Sequence, residues 1–479
     1  MGDKSLNVLA FDMGASNGRA ILGKYDGNQI ELEVLHKFPN GPERLNGELY
    51  WDILRLFHEI KTGLHKAENQ TDSNLVSLAI DTWGVDYGLL DKNDNLLSNP
   101  YHYRDSRTDG MVEEVFGKVP KEKVYQQTGI QTIQLNTLFQ LYADLKYRPW
   151  ILNNASTLLF TPDLLNFFLT GEKFNEYTIS STSQFFNPKK NEWVSVILEE
   201  LGIPTRILQQ IVYPGERIGK LLDDIKEECG IKEELTVIAV GSHDTASAVA
   251  ATPFEKRENS VFLSSGTWSL LGMELDSPLI NEKTLEENFT NELGVARKVR
   301  FLKNISGLWL IQECKRCWAR DGLELSYAEI SEAATKARPF IFRLNPDDPR
   351  FLNPTDMPAT IKEYCKETGQ EVPEDYGEMA RGIYESLAFS YKDVIEKLEN
   401  LTDRKIETIN MVGGGIQAEI LCQFTANITG KRVLTGPVEA TAMGNIITQL
   451  MALGEIADLE EGRELVRRSI ELKEFLPES

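Results

Sequence analysis

Five short segments of this chain carry side chains suited to phosphate, sugar or proton chemistry. The first is Asp12-Met-Gly-Ala-Ser-Asn-Gly18-Arg19, which follows the apolar run Asn7–Phe11. Small residues after a strand let backbone N–H groups approach a phosphate closely, and a hairpin can do this without a helix. Asp12 at the strand end can hold Mg²⁺ through water, because that ion keeps several of its waters, and Arg19 adds a positive charge. The alternative is a plain hairpin turn capped by Asp12. The second segment, Ser264-Ser-Gly-Thr267, lies between two further apolar runs and offers the same backbone chemistry. Two such hairpins can grip a polyphosphate from both sides.

The third segment runs from the apolar stretch Ile409–Val412 into Gly413-Gly-Gly-Ile-Gln-Ala418 and fits the pattern GxGxxA. A dinucleotide site also wants an acidic residue at the end of the next strand, to hold a ribose. Here that strand, Arg432–Leu434, ends in Thr435-Gly436-Pro437. The glycines therefore make room for a flat adenosine against the backbone, or serve close packing, rather than binding NAD. No GxxxxGK[ST] is present, which excludes a P-loop. In the fourth segment, Gly241-Ser-His-Asp244-Thr-Ala-Ser247, a carboxylate at a strand-to-helix turn is placed to take a proton from an alcohol. Asp244 can equally be a helix N-cap, and His243 can be a packed ring or a ligand. The fifth, Asp81-Thr-Trp-Gly-Val-Asp86-Tyr87, mixes aromatic and polar groups as a sugar site does; its alternative is a hairpin with a buried Trp83.

The elements that must position these residues are legible as periodicity. Asn7–Phe11 and Arg19–Tyr25 read as two strands joined at Asn17-Gly18, a pair that accepts positive φ. Ser260–Leu263 and Trp268–Glu274 repeat the arrangement, so each half opens on a hairpin and the two halves read as a duplication. Leu75–Ile80 and Leu235–Val240 are further strands. Tyr50–His65, Trp193–Leu201, Gly307–Arg320 and Tyr376–Leu401 are helical, the last with Ile383, Leu387, Tyr391, Ile395 and Leu398 on one stripe. Alternating strands and helices give an α/β class. Pro339–Pro358 reads as an irregular loop, and a domain junction is expected within Gly241–Arg257.

At 479 residues, with 41% hydrophobic and 26% charged, the chain has material for two or three globular domains. A net charge of −22 repels phosphate backbones and anionic lipid, which disfavours nucleic acid and membrane as partners. Five widely spaced cysteines predict reduced thiols. The lone Cys314–Cys317 pair lacks the further ligands of a zinc site. The N-terminal Met1–Asn7 has no apolar leader, and Leu6 stands where a myristoylation signal at Gly2 needs Ser or Thr. A soluble cytoplasmic protein is the expectation.

In this order the segments resemble the FGGY family of carbohydrate kinases, which shares its fold with actin, hexokinase and the heat-shock chaperone ATPases. Tyr103-Arg-Asp-Ser-Arg-Thr108, Ser242–Val249, Ser265–Leu270, Asn304–Gln312 and Val412–Gln417 extend the resemblance over nearly the whole chain. It implies two duplicated ribonuclease-H-like (actin-like ATPase) domains with a nucleotide and sugar cleft between them. Residues 1–247 would be the sugar-binding domain and 248–479 the nucleotide-binding one. It implies Ala15, Ser16, Asn17, Gly18 and Arg19 at the phosphates of ATP, with Thr267, Gln312 and Gly414 completing the nucleotide site. Gly84, His243, Asp244, Thr245 and Asn304 would contact the sugar, with Asp244 as general base and Mg²⁺ held by Asp12 through water.

The implied reaction phosphorylates O1 of L-rhamnulose from ATP, in a monomer or small homo-oligomer. L-Fuculose or xylulose is the competing acceptor, and an actin-like or chaperone-like ATP switch is the competing class; those proteins lack the Ser-His-Asp-Thr element. Asn17 and Met13 stand where the family pattern leads one to expect Ser and Leu, and Ile416 where it leads one to expect Cys.

Overall fold

Strand β1 (Leu6–Met13) is buried on both faces, as its near-continuous apolar run requires of a strand inside a covered parallel sheet. It opens the architecture seen in a computed structural model, which describes residues 6–71 and 75–478. Met1–Ser5, on which the reading of the N-terminus partly rests, lie outside the described residues. After β1 come β2 (Asn17–Tyr25), β3 (Ile30–Pro39), α1 (Ile53–Gln70), β4 (Leu75–Thr82), β5 (Arg217–Lys220), β6 (Thr236–Ile238) and α2 (Asp244–Ala250). The later elements are β7 (Ser260–Ser265), β8 (Trp268–Leu275), β9 (Val299–Ser306), α3 (Trp309–Arg320) and α4 (Tyr376–Thr402). They are followed by β10 (Thr408–Val412), α5 (Glu419–Thr429), β11 (Arg432–Thr435), α6 (Ala440–Leu453) and β12 (Glu474–Phe475).

By contact density the chain divides into two units. The first holds the residues up to Ala251 together with Leu275–Phe301 and Ala440–Ser469; the second holds Thr252–Glu274, Leu302–Glu439 and the chain from Ile470. The expected division at residue 247 differs from this in a physical way. Helix α2 stays whole in the first unit, and α6 returns to it from late in the sequence. Gln449 of α6 accepts from Ser77 Oγ at 2.7 Å and donates to the Leu9 carbonyl at 3.1 Å, so α6 is bonded directly to β4 and β1.

The first unit's sheet runs β5-β6-β4-β1-β2-β3, with β1, β4 and β6 parallel and the rest antiparallel. Six neighbouring strands of a seven-stranded sheet, in the order β12-β11-β10-β7-β8-β9, repeat that plan: a hairpin, two parallel strands, an antiparallel edge. The duplication expected from the two hairpins is therefore present in the topology.

Several boundaries shift for identifiable reasons. Helix α1 starts at Ile53 because Asp52 caps it, accepting from Arg55 N at 3.1 Å. Glu192–Trp193 pairs with Phe186–Asn187 as a short ladder, so the predicted helix at Trp193 begins at Ser195. Helix α4 buries all five of its predicted stripe residues. The first hairpin turns at Gly14–Ser16 rather than at Asn17-Gly18, both of which are already in β2 without positive φ. Gly18 has a steric reason instead: a Cβ there would sit 2.2 Å from the Phe38 ring. Asp81 to Tyr87 is not a hairpin either, because Tyr87–Leu90 pairs with Thr157–Phe160 and not with β4.

Helices α2 and α6 touch so closely that a Cβ on Gly444 would lie 1.8 Å from the Ser247 carbonyl oxygen. Ala normally improves a helix interior by about 1 kcal/mol over Gly. Gly444→Ala is nevertheless expected to destabilise by about 1–3 kcal/mol through overpacking, read as a lower urea midpoint; an unchanged or raised midpoint would refute this contact.

Candidate active site

Three carboxylates stand at the C-terminal ends of neighbouring parallel strands of the first unit, the end at which open α/β sheets bind ligands. Register places Asp12 of β1 opposite Asp81 of β4. Beyond β6, Thr82 pairs with His243, Thr82 N donates to the Ser242 carbonyl at 2.8 Å, and Asp244 follows as the first residue of α2. Asp81 is fully buried. Its Oδ2 accepts from Asn445 Nδ2 at 2.6 Å, and its Oδ1 has no hydrogen-bond partner among the described residues. Burial, and then the charge of Asp12, hold its carboxyl well above the usual range; Asp244 adds to this, and Asn445 and Arg19 oppose it. Arg19 Nη2 lies 3.6 Å from Asp12 Oδ2.

The turn between β1 and β2 presents Ala15, Ser16 and Asn17 on small residues. Asn40 ties it down, donating from Nδ2 to the Gly14 carbonyl at 2.8 Å and from its backbone N–H to the Ser16 carbonyl at 3.1 Å. Gly18 and Arg19 continue into β2, where Arg19 faces Asp12 across the ladder. This arrangement fits a hydrated Mg²⁺: a partly accessible carboxylate on Asp12, backed by the unpaired oxygen of Asp81. Among the described residues no set of three or more His, Cys, Asp or Glu could hold a metal directly. Outer-sphere binding through water does not need one.

Gly84 and the His243 turn meet. A Cβ on Gly84 would lie 3.2 Å from His243 Nε2. The loop that carries Gly84 is a γ-turn: Asp86 N donates to the Gly84 carbonyl at 2.9 Å, and Val85 between them has φ of +68°. Positive φ in a β-branched residue is strained and persists only where the surroundings enforce it. They do so here, since Val85 N donates to Thr182 Oγ1 and Thr137 Oγ1 donates to the Val85 carbonyl. Beneath the turn, the buried Asp86 carboxylate collects Trp51 Nε1 at 2.6 Å, Gln140 Nε2 at 2.8 Å, Trp83 Nε1 at 2.9 Å and Tyr103 N at 3.2 Å. Burial pushes the Asp86 carboxyl up to about 6 against those donors. Trp83 is buried against Trp51, ring centroids 3.9 Å apart, and so serves packing.

On the other side, Glu176 fastens the loop that presents Asp244, accepting from Ser242 Oγ at 2.6 Å and from Thr178 and Ile179 N–H groups. His243, not Asp244, occupies the N-cap position of α2, and it makes no side-chain cap bond. Asp244 Oδ1 accepts from Thr245 N and from Thr245 Oγ1 at 3.0 Å and lies 3.5 Å from His243 Nε2. Behind His243, the fully buried Arg300 lies 3.1 Å from Nδ1 and 3.2 Å from Glu292 Oε2. Burial pulls the Arg300 guanidinium down, and Glu292, Asp244 and Glu176 resist. At the far end of α2, Arg463 donates to the carbonyls of Val249 and Ala250 at 3.3 Å, satisfying last-turn acceptors with a cation.

The remaining predicted residues lie in the second unit. Thr267, in the β7–β8 turn, donates from Oγ1 to Gln312 Oε1 at 3.2 Å, and its carbonyl accepts from Gly307 and Trp309 N–H at the start of α3. The glycine triplet divides its labour. Gly413 has φ of +86°, and a Cβ there would lie 3.0 Å from the Ser265 carbonyl oxygen; a Cβ on Gly415 would lie 2.0 Å from Ser265 Oγ. Gly414 faces open space. The outer two glycines thus serve packing, and the middle one leaves a flat, exposed stretch of backbone. Asn304 is half-buried on β9.

Sequence reasoning missed Asn40, Glu176, Glu292, Arg300 and Asn445. Each reaches the site from a distant part of the chain, and the only local signal is a charge inside a strand, as for Arg300 in β9 or Glu292 in Thr290–Leu293. All five cysteines are free and buried. No helix of the described residues is long and apolar enough to cross a membrane.

Residues 7–251 match the N-terminal domain of the FGGY family of carbohydrate kinases, and residues 261–453 match its C-terminal domain. The chain is 44% identical to a rhamnulokinase of Bacteroides thetaiotaomicron, over 98% of this chain and 96% of that protein. It is also 44% identical to one of Halalkalibacterium halodurans, over 98% of both. In fold it resembles a ligand-bound xylulose kinase from Lactobacillus acidophilus, with a TM-score of 0.79 at 17% identity, covering 98% of this chain and 94% of that one. A glycerol kinase with ADP from Plasmodium falciparum gives 0.77 at 14%, covering 99% and 94%.

The Asp86 knot carries a pH signature. Folding raises this carboxyl from 3.8 to about 6, so its contribution to stability is greatest below about pH 4 and is lost as pH rises through 6. Asp86→Asn cannot titrate. The stability advantage of wild type over this variant should therefore shrink by on the order of 3 kcal/mol between pH 4 and pH 7, measured by urea titrations at each pH. An advantage that widened over that range would contradict the assignment.

Proposed function

The chain belongs to the FGGY family of carbohydrate kinases, and on that premise we propose that it transfers the γ-phosphate of ATP to O1 of L-rhamnulose. The products are ADP and L-rhamnulose 1-phosphate. The observation that carries this reading is the placement of Asp244. Of the three strand-end carboxylates it is the accessible one, with 30% of its side chain exposed, against 10% for Asp12 and none for Asp81. It lies beside the contact of Gly84 with His243. The name borne by relatives at 44% identity over almost their full length supplies the acceptor.

In this reading the sugar is held against Gly84, His243 and Thr245, with Asn304 as a further contact. Residues 15–19 take the phosphates, and Thr267, Gln312 and the exposed backbone at Gly414 take the nucleoside. Asp244 accepts the proton of the O1 hydroxyl as O1 bonds to the γ-phosphorus. The bond from that phosphorus to the β–γ bridging oxygen breaks, and ADP leaves with the electron pair. Phosphoryl transfer of this kind is positioning plus charge stabilisation. Arg19 lies within reach of Asp12 and of the turn that receives the phosphates, so it offsets local negative charge in a protein of net charge −22. Asp12, backed by Asp81, would hold Mg²⁺ through water; when bound, that ion supplies charge neutralisation on the β- and γ-phosphates. The enzyme acts on a small sugar in the cytoplasm, as a monomer or small homo-oligomer, with neither nucleic acid nor membrane as a partner.

Asp244→Asn is expected to keep the fold and sugar affinity while lowering turnover about 10²–10⁴-fold, the loss typical of a general base. A coupled ADP-release assay with L-rhamnulose, L-fuculose and xylulose reads both this and the acceptor. Wild-type turnover in the variant would remove Asp244 from the base role. ADP release independent of any sugar would favour a nucleotide switch.

A further inference from the structure

Arg300 carries the only full positive charge facing His243 among the described contacts of that ring, and it faces one particular atom. Its Nη2 lies 3.1 Å from Nδ1, while Nε and Nη2 both donate to the Leu293 carbonyl, at 3.1 and 2.9 Å. These bonds fix the guanidinium plane. A guanidinium has no acceptor and keeps its charge in a protein. The ring atom it addresses must therefore present a lone pair. Glu292 Oε2, 3.4 Å from the same Nδ1, favours the opposite tautomer. The guanidinium prevails because it is closer, 3.1 Å against 3.4 Å, and because Glu292 Oε2 is ion-paired with Arg300 Nη1 at 3.2 Å, although those two atoms form no hydrogen bond. The third charged group at the ring, Asp244, lies on the Nε2 side at 3.5 Å and welcomes a proton there.

We infer that Arg300 is a positioning residue which holds His243 as the neutral Nε2–H tautomer, so that the ring meets the sugar as a hydrogen-bond donor and never as a second base. Nε2 is the atom that Gly84 leaves uncovered. The pocket then offers opposite polarities side by side: Nε2–H for a sugar oxygen lone pair, and Asp244 for a hydroxyl proton. A ring flipped to the other tautomer would compete with Asp244 for that proton. Glu292 keeps the buried Arg300 from standing as an uncompensated charge.

The functional meaning of this inference rests on the sugar-kinase reading, but its test needs no substrate. The full-length protein, labelled with ¹⁵N in its histidine rings, contains five histidines, and His243 is assigned by the signals lost in His243→Gln. Long-range ¹H–¹⁵N spectra of the neutral ring, recorded at pH 8, should show Nδ1 as a lone-pair nitrogen and Nε2 as N–H. A proton on Nδ1 of the neutral ring overturns the inference and leaves Asp244 untouched. An Nε2–H ring in a chain that phosphorylates no sugar removes the kinase assignment instead.

In Arg300→Met, folded by circular dichroism, the Nδ1 proton should appear toward Glu292, and kcat/KM should fall about 10–100-fold, as when a ring loses the partner that orients it. Arg300→Lys, which keeps a donor, should recover part of that loss. An unchanged tautomer in Arg300→Met would also overturn the proposal. If that variant does not fold, the wild-type spectrum alone decides.

Discussion

Like charges brought together where water is scarce repel strongly, and the first unit is organised around tolerating such a group. The register of three parallel strands sets Asp12, Asp81 and Asp244 at one sheet end. Each carboxylate is accommodated differently. Burial holds the Asp81 carboxyl above its usual range, and Asn445 ties it. Asp12 faces Arg19. Asp244 sits in the first turn of a helix, where a negative charge is favoured, and retains access to solvent. Burial thus sorts three chemically identical groups into one sequestered carboxyl, one that faces a cation and one open to solvent.

The loops that bring Gly84 and His243 to this sheet end are held by further buried acids. Asp86 receives four donors under the Val85 turn, and Glu176 receives the Ser242 hydroxyl and two amides beside His243. Both loops are clamped from below by a carboxylate saturated with hydrogen bonds, which lets one of them keep a strained γ-turn. Such networks stay favourable only while every member is paired. Precise placement of Gly84 against His243 therefore depends on buried acids beneath the two loops.

How much of this the sequence disclosed follows the range of each interaction. Hairpins, strands and the long amphipathic helix α4 are local patterns and were legible to within a few residues. So were the small-residue turns and the Ser-His-Asp-Thr segment, because their residue types are needed where they stand. The turn at Gly14–Ser16 was misplaced by the Asn17-Gly18 pair, since Gly18 is required by the Phe38 ring rather than by a turn. Arg300, Glu292, Asn445 and Glu176 were not legible. Nothing near them in the chain marks a ligand, and only the folded path of Leu275–Phe301 and α6 carries three of them to the first unit.

That path has a consequence for how the protein is made. The first unit is not complete when residue 251 leaves the ribosome, because α6 and its neighbours up to Ser469 belong to it. Roughly 190 further residues must be translated before Asn445 can reach Asp81 and Gly444 can seat against α2. At typical elongation rates that is on the order of 10–40 seconds in which β1, β4 and α2 lack their covering helix. A nascent chain of this architecture exposes apolar sheet surface for that interval and depends on residues 440–469 to conceal it. A nonsense codon just before Ala440 would thus deprive the first unit of its cover as surely as one placed early.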